Sequence, residues 1–416
     1  MSDDRRDIRD FLQAEADRAP QPTGITAATV RRARLKRAGF LTSSLLLVAI
    51  LTGGIAFGFT SMGRDVPPVP PAQNEGTTPT DLNPRVTATI AVGRYPRAVE
   101  VLDGYVWVTV DDPGSEEGFA LVRIDPQTNE VADSLPLKFA TDLAVGAGAV
   151  WVVGYEDPSG ARLLRIDPHS NSVVDTVRLD CVSDHEPPDC FPVNVAVEDT
   201  AVWVTLSSDP AISGEVVRVD PSSNEIVARI PIENGGPRDV VLGGDSVWVN
   251  VLSDAEDNVV QGASLLRIDP QTNEVADILL PNKLLLGGTE VPPVMTADES
   301  DVWVVKEESH GATVPSYVLA VRVDAQTGEI TGESGNLVPK AMGRSFFPFA
   351  TDRGGMWFYG RGDVAVHRLN SETMQVDESV HLRDQTGYAI DAVLDPAAGT
   401  IWIASYDGPV IRIDLR

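Results

Sequence analysis

Seven tryptophans recur at nearly regular intervals through this 416-residue chain, and this regularity constrains the fold more than any other feature. They are separated by 44, 52, 45, 55, 54 and 45 residues, and each lies in a short apolar run such as YVWVTV or AVWVTL. Runs of this kind are typical of strands covered on both faces. A steady period of this length indicates a repeat architecture. The seven are Trp107, Trp151, Trp203, Trp248, Trp303, Trp357 and Trp402.

A second recurring stretch follows each tryptophan and has the pattern of a strand, a tight turn and another strand. In LVRIDPQTNEV and LLRIDPHSNSV, Asp-Pro opens the turn and Asn stands four residues after the Asp. Pro fixes φ, whereas Asn and Gly tolerate positive φ, so both suit a hairpin. Together with a short run before each tryptophan, every repeat contains four strands. The sequence therefore predicts an all-β fold, a seven-bladed β-propeller.

The two ends of the repeat region complement each other. The chain stops at Val410–Arg416 (VIRIDLR), where other repeats continue to a turn and a fourth strand. Val86–Val92 (VTATIAV) precedes the first repeat and matches fourth strands such as Glu225–Ile232. We expect this N-terminal strand to complete the last blade, which would leave no open edge between first and last repeats.

The residues before the repeats predict a membrane anchor. Ala38–Met62 is an uncharged stretch of 25 residues, long enough to cross a hydrocarbon core of roughly 30 Å. Basic residues between Arg31 and Arg37 place its N-terminal side in the cytoplasm by the positive-inside rule. A cleaved signal peptide is the alternative. The predicted domains are a cytoplasmic basic head (1–37), a transmembrane helix (38–62), a Pro-rich linker (63–84) and an extracytoplasmic propeller (85–416).

The charge of the repeat region restricts its partners. Residues 63–416 carry 24 Lys and Arg against 55 Asp and Glu. Such an acidic surface repels nucleic acid and anionic lipid headgroups, which favours neutral, cationic or metal partners. We therefore expect no nucleic acid partner.

The repeat region also resembles a known group of proteins. The stretch VTATIAVGRYPRAVEVLDGYVWVTV followed by VRIDPQTNEVADSLPL is similar to bacterial YVTN-type propellers, whose relatives include virginiamycin B lyase-like propellers. The resemblance covers Arg85–Arg416 and implies the propeller fold. It leaves function open, because this scaffold carries surface proteins, binding modules and a few enzymes.

The first strand of each blade should surround the central channel, near the face that carries the connections between blades. Aromatic residues lie about 12 positions before several tryptophans, polar residues lie nine before, and two arginines adjoin the polar positions. This pattern is suited to a small polar ligand or a cation. The alternative is a water-filled structural channel whose polar groups satisfy one another. The candidates are Tyr95, Arg97, Phe139, Asp142, Phe191, Asn194, Arg238, Asp239, Phe346, Phe347, Tyr388 and Asp391.

Two further features concern metals and cysteines. Acidic loops are expected on the same face, at residues 111–117, 156–157, 254–257 and 307–308, but none has the spacing of a 12-residue calcium loop. We therefore predict no cofactor and keep calcium as a possibility. Cys181 and Cys190 flank a short loop and predict an extracytoplasmic disulfide, with zinc as the alternative because His185 and acidic residues lie between them.

No catalytic motif is present, and no histidine belongs to the channel segments. We therefore predict a membrane-anchored binding or scaffold module for a protein, a glycan or a small polar ligand. A lyase or lactonase-like enzyme with a metal in the channel is one alternative. The resemblance implies that such a lyase needs a histidine near the channel mouth, where His310 is the sole candidate. A transmembrane sensor signalling through the short head is the other alternative.

Overall fold

A computed structural model describes residues 85–415 of the chain, apart from 113–116, 157–159, 180–189, 209–212, 233–234, 254–261, 279–293, 309–316, 336, 338–344, 353, 362–364, 383–388 and 407. The predicted head, span and linker lie outside the described residues. Among those that are described, no helix has the length and apolar character needed to cross a membrane.

The described chain forms seven antiparallel four-stranded sheets, one for each tryptophan repeat. Blade 1 contains β2 (Arg94–Leu102), β3 (Tyr105–Asp112), β4 (Gly118–Asp125) and β5 (Glu130–Leu137). Blade 2 contains β6 (Asp142–Gly146), β7 (Ala149–Glu156), β8 (Gly160–Asp167) and β9 (Ser172–Arg178). Blade 3 contains β10 (Cys190–Glu198), β11 (Ala201–Ser208), β12 (Gly214–Asp220) and β13 (Glu225–Ile232).

Blade 4 contains β14 (Gly235–Gly243), β15 (Ser246–Ser253), β16 (Gly262–Ile268) and β17 (Val275–Ile278). Blade 5 contains β18 (Val294–Ala297), β19 (Asp301–Glu308), β20 (Tyr317–Asp324) and β21 (Ile330–Glu333). Blade 6 contains β22 (Ser345–Asp352), β23 (Gly355–Arg361), β24 (Ala365–Asn370) and β25 (Val376–His381). Blade 7 contains β26 (Ala389–Asp395), β27 (Thr400–Ser405), β28 (Val410–Asp414) and the N-terminal β1 (Val86–Ile90). The predicted seven-bladed propeller is therefore confirmed.

The closing strand is also confirmed. β1 pairs antiparallel with β28, with Ile90 opposite Val410 and Val86 opposite Ile413. The first strands of neighbouring blades contact one another around the ring, and β2 contacts both β26 and β6. The last blade is thus built from both ends of the propeller domain, and its unfolding requires both ends to separate.

The tryptophans form the core between blades, as their repetition predicts. All seven side chains are at most 1% exposed. In five blades the guanidinium of the arginine in the RID segment lies over the ring of its own tryptophan, at 5.1 to 5.7 Å from the centroid. Such cation–π stacking is strongest where water is excluded.

These arginines also join neighbouring blades. Arg123 donates from Nη1 to the carbonyl oxygen of Pro168 at 2.9 Å, and Arg165 donates to that of Pro221 at 2.7 Å. Arg412 of blade 7 donates to the carbonyl oxygen of Pro126 in blade 1 at 2.6 Å. The Asp-Pro turn is therefore a hydrogen-bond acceptor for the preceding blade as well as a turn.

The hairpins have the predicted geometry. Asn129, Asn171, Asn224, Asn273 and Gly328 all have positive φ, at the position four residues after the Asp. The amide of Asn129 donates to the carbonyl oxygen of Asp125 at 2.8 Å, and the side chain of Asp125 accepts the amide of Gln127. Blade 6 keeps the conformation with Met374, whose φ is 54°.

Candidate functional site

The first strands enclose a central cavity of about 380 Å³. Four carboxyl groups line it, and each comes from a different blade: Glu100, Asp142, Asp239 and Asp391. Among the described lining residues there is no lysine, arginine or histidine. The described lining therefore gathers four acidic side chains and no basic one.

In blades 2, 3, 4 and 7, a polar side chain near the position nine before the tryptophan connects the blade to the next one. Asp142 Oδ2 accepts the amide of Val195 at 3.0 Å, and Asn194 Oδ1 accepts the amide of Val240 at 2.8 Å. Asp391 stands 11 residues before Trp402, because the hairpin of blade 7 is two residues longer. Its Oδ2 accepts the amide of Val99 at 2.8 Å.

Asp239 makes the same kind of bond to the amide of Met295. We call these four contacts the latch bonds. They satisfy buried backbone donors that would otherwise face the channel. This agrees with the alternative prediction of a structural channel whose polar groups satisfy one another.

Burial raises the pKa of every carboxyl group in the cavity. It raises the pKa of Asp142 to about 8, and the neighbouring Asp391 adds to this effect. The pKa values of Asp239 and Asp391 rise to about 6, again mainly because of burial, although backbone amides that donate to them oppose the rise. Removal from water thus outweighs the hydrogen bonds that favour the ionised forms.

Glu100 is the acid that sequence analysis missed. It lies opposite Trp107 in the strand register, and its pKa rises to about 8 because of burial and then because of Asp391 and Asp142. Its side chain is half-buried in the cavity lining. The matching positions in the other blades are uncharged: Ala144, Ala196, Val241, Thr296, Ala350 and Val393. This single acidic exception was a signal available in the sequence.

Blade 6 supplies an aromatic wall. Phe347 and Phe349 line the cavity beside Tyr359, with ring centroids 5.3 and 6.0 Å from that of Tyr359. The Tyr359 hydroxyl donates to the carbonyl oxygen of Ile390 in blade 7, which joins blades 6 and 7 where no latch bond is formed. In a ring of seven, blade 6 faces blades 2 and 3, so the aromatic wall lies across the channel from Asp142.

The structure distributes the other predicted residues differently. Tyr95 packs against Tyr406 of blade 7, with centroids 4.9 Å apart, and Phe191 packs against Tyr155 of blade 2 at 5.0 Å. Phe139 is 6% exposed and belongs to the core between blades 1 and 2. These aromatics join neighbouring blades and are not part of the cavity lining.

The predicted arginines lie beside the latch residues rather than in the cavity. Arg97 pairs with Asp111, with an Nη2···Oδ2 distance of 2.9 Å, and stacks on Phe119. Arg238 lowers the raised pKa of Asp239 through its charge, and its carbonyl oxygen accepts the hydroxyl of Thr205 at 2.6 Å. Of the predicted set, the cavity lining brings together Asp142, Asn194, Asp239, Phe347 and Asp391.

Several predictions fall outside the described residues. These include Tyr388, the side chain of Phe346, Cys181 and both His185 and His310, so the disulfide remains a prediction. Cys190 begins β10 and is buried. Within the part of the chain that is described, no group of three or more acidic, histidine or cysteine side chains is arranged to hold a metal ion. Calcium therefore remains an untested prediction.

The latch bonds lead to a prediction for Asp142. Asp142→Asn keeps an oxygen for the backbone amide of Val195 and the side-chain amide of Asn194. The pKa of Asp142 is raised to about 8, so its carboxyl is mostly neutral at pH 7 and the neutral amide should leave stability there almost unchanged. Asp142→Ala removes the acceptor, and we expect a loss of about 1–3 kcal/mol. Urea unfolding of both variants checks this, and equal stabilities would show that the latch bond contributes nothing measurable.

Seven four-stranded blades around a carboxyl-lined channel define a seven-bladed β-propeller. Among solved structures, the chain is similar to Kuenenia stuttgartiensis hydrazine synthase, with a TM-score of 0.60 and 12% identity, covering 79% of this chain and 98% of that one. At this identity the likeness concerns the fold alone. No family model and no curated protein matches the chain, so membership of the YVTN-type group is not confirmed.

Proposed function

We propose that the chain is a membrane-anchored extracytoplasmic binding module whose propeller channel takes a small organic cation. The observation that carries the proposal is the composition of the cavity. Carboxyl groups from four blades line it together with the aromatic rings of Phe347, Phe349 and Tyr359. The anchor and the extracytoplasmic location rest on the uncharged segment Ala38–Met62 and its basic flank.

The chemistry of the two kinds of lining favours an organic cation over a bare metal ion. Aromatic faces attract cations through the ring quadrupole, and they bind ammonium groups best where water is excluded. The carboxyl groups are not arranged as a metal site among the described residues. An ammonium group with carbon substituents is larger than a metal ion, so it can contact both the rings and a carboxylate in a cavity of about 380 Å³.

A comparison of two isosteric probes tests the proposal. Choline and its uncharged isostere, in which carbon replaces the quaternary nitrogen, should be added to the full-length chain in detergent during thermal unfolding. We expect choline alone to raise the midpoint, because a ligand that binds only the folded state stabilises it by about 2.7 kcal/mol at 100 times its Kd. Polyamines and primary alkylamines extend the series.

Two variants locate the binding site. Asp391→Asn removes a carboxylate that is ionised at neutral pH, because its pKa is about 6, and Phe347→Leu removes one ring from the cavity lining. Each should weaken the choline response at least tenfold in apparent Kd. Glu130→Gln, on the exposed strand β5, removes the same charge far from the channel and should leave the response intact. A response shared by choline and its isostere, or none to any amine, would contradict a cation site and favour a scaffold role.

A further inference from the structure

The carboxyl groups of the cavity have acceptor capacity that the protein leaves unused. A carboxylate can accept about four hydrogen bonds. From other strands, Asp391 accepts one, at Oδ2, and Asp142 accepts two, both at Oδ2. Asp239 also accepts two, from the side chain of Asn250 and the amide of Met295. These groups therefore keep room for donors that come from inside the cavity.

The protein offers few donors to fill this capacity. Beside the carboxyl groups, three of the described lining side chains carry an N–H or O–H group, namely those of Asn194, Thr296 and Tyr359. The side-chain amide of Asn194 already donates to Asp142. The hydroxyl of Tyr359 donates to the carbonyl oxygen of Ile390. A ligand that fits this cavity brings its own donors, as a primary ammonium does with its three N–H groups.

Two of the carboxyl groups lie on opposite sides of the channel. Asp239 belongs to blade 4 and Asp391 to blade 7, and no two blades in a ring of seven are further apart. Burial raises the pKa of both only to about 6, so both are mostly ionised at neutral pH. Blades 5 and 6 lie between them on one side and contribute Met295 and the aromatic wall to the lining. An apolar surface thus connects the two carboxylates.

We propose that the ligand is a linear aliphatic diamine, whose primary ammonium ends meet Asp239 and Asp391 while its methylene chain lies along the aromatic wall. The inference rests on the proposed function, because it names the class of organic cation that the channel takes. Ammonium groups form charge-assisted hydrogen bonds with carboxylates, which are stronger than bonds between neutral groups. Two joined ends bind more tightly than one, since the second contact forms within a ligand that is already bound.

Matched amines measure whether both ends are recognised. Titration calorimetry on the full-length chain in detergent should compare diaminoalkanes of increasing length with monoaminoalkanes of the same length. We expect the best diamine to bind at least tenfold more tightly than its monoamine. Its affinity should peak at one chain length, because the two carboxylates are a fixed distance apart. Choline should bind more weakly than this diamine, since it carries one charge and no N–H group.

Two variants locate the ammonium ends. Asp239→Asn and Asp391→Asn each keep an oxygen for the latch bond and remove one charge. In either variant the diamine should bind no more tightly than the monoamine. Glu130→Gln removes a charge on the exposed strand β5 and should keep the preference for the diamine. The chain-length series on the wild type gives an independent result should either aspartate variant not fold.

The outcomes separate this inference from the proposed function. If diamine and monoamine bound the wild type equally well while choline still stabilised it, the diamine would be the wrong ligand class and the organic-cation channel would stand. A preference for the diamine that survived in both aspartate variants would also overturn the inference. If no amine bound at all, both proposals would fall.

Discussion

Deletion of residues 85–92 should lower the free energy of unfolding by about 5 kcal/mol or more, which is comparable to the whole stability of many domains. The deletion removes β1, so β28 loses its partner strand and blade 7 is left with three strands. It also removes Ile90 and Val92, which are 5% and 8% exposed and pack in the core between blades 7 and 1. Burial of each such side chain contributes roughly 1.5–3 kcal/mol.

The matched control is a deletion of equal length in the predicted linker, residues 66–73. Both proteins should be compared by urea unfolding and by the cooperativity of the transition, because an opened ring is expected to unfold over a broader range. If the two deletions gave the same midpoint and slope, the closing strand would not stabilise the ring.

Replacement of Trp151 by alanine is the second large effect, with an expected loss of about 3–5 kcal/mol. The ring of Trp151 is fully buried, and its Nε1 donates to the carbonyl oxygen of Gly146 at 3.2 Å. The guanidinium of Arg165 lies 5.5 Å from the ring centroid and reaches Pro221 in blade 3. The cavity left by the indole therefore weakens two blades at once.

Two further variants separate packing from stacking. Trp151→Phe keeps an aromatic face for Arg165 and should cost much less than Trp151→Ala. Arg165→Met keeps most of the side-chain volume but loses the hydrogen bond to Pro221, and its cost should be about 1–2 kcal/mol. Denaturant unfolding measures all three, and a loss below about 1 kcal/mol for Trp151→Ala would contradict the core role of the tryptophans.

The candidate site was predicted in part, and the reason lies in the shape of the first strands. Counting back from the tryptophan located Asp142, Asn194 and Asp239, because the pairing is regular back to Asp142 and Asn194 and back to Val240, the neighbour of Asp239. In five blades the register shifts near this point, for example between Pro192 and Asn194 and between Pro348 and Ala350. A β-bulge redirects the side chains that precede it, so the aromatics further back, such as Tyr95 and Phe191, face neighbouring blades.

The number of blades, their four strands, the turns and the closing strand were determined by the sequence itself. Each of these follows from local patterns: buried apolar runs around a tryptophan in all seven repeats, Asp-Pro turns with a residue of positive φ in four of them, and a first strand that matches the missing last one. Local patterns of this kind need no knowledge of distant contacts.

The enclosure of the channel side chains and the distance between them were decided only by the tertiary structure. Glu100, Asp142 and Asp391 are far apart in the chain, and they meet because closing the ring brings blade 7 beside blade 1. The raised pKa of Glu100 arises from burial by all the surrounding blades together with two carboxylates from other blades. Neither the enclosure nor the neighbours exist in any single repeat, so no local pattern could reveal them.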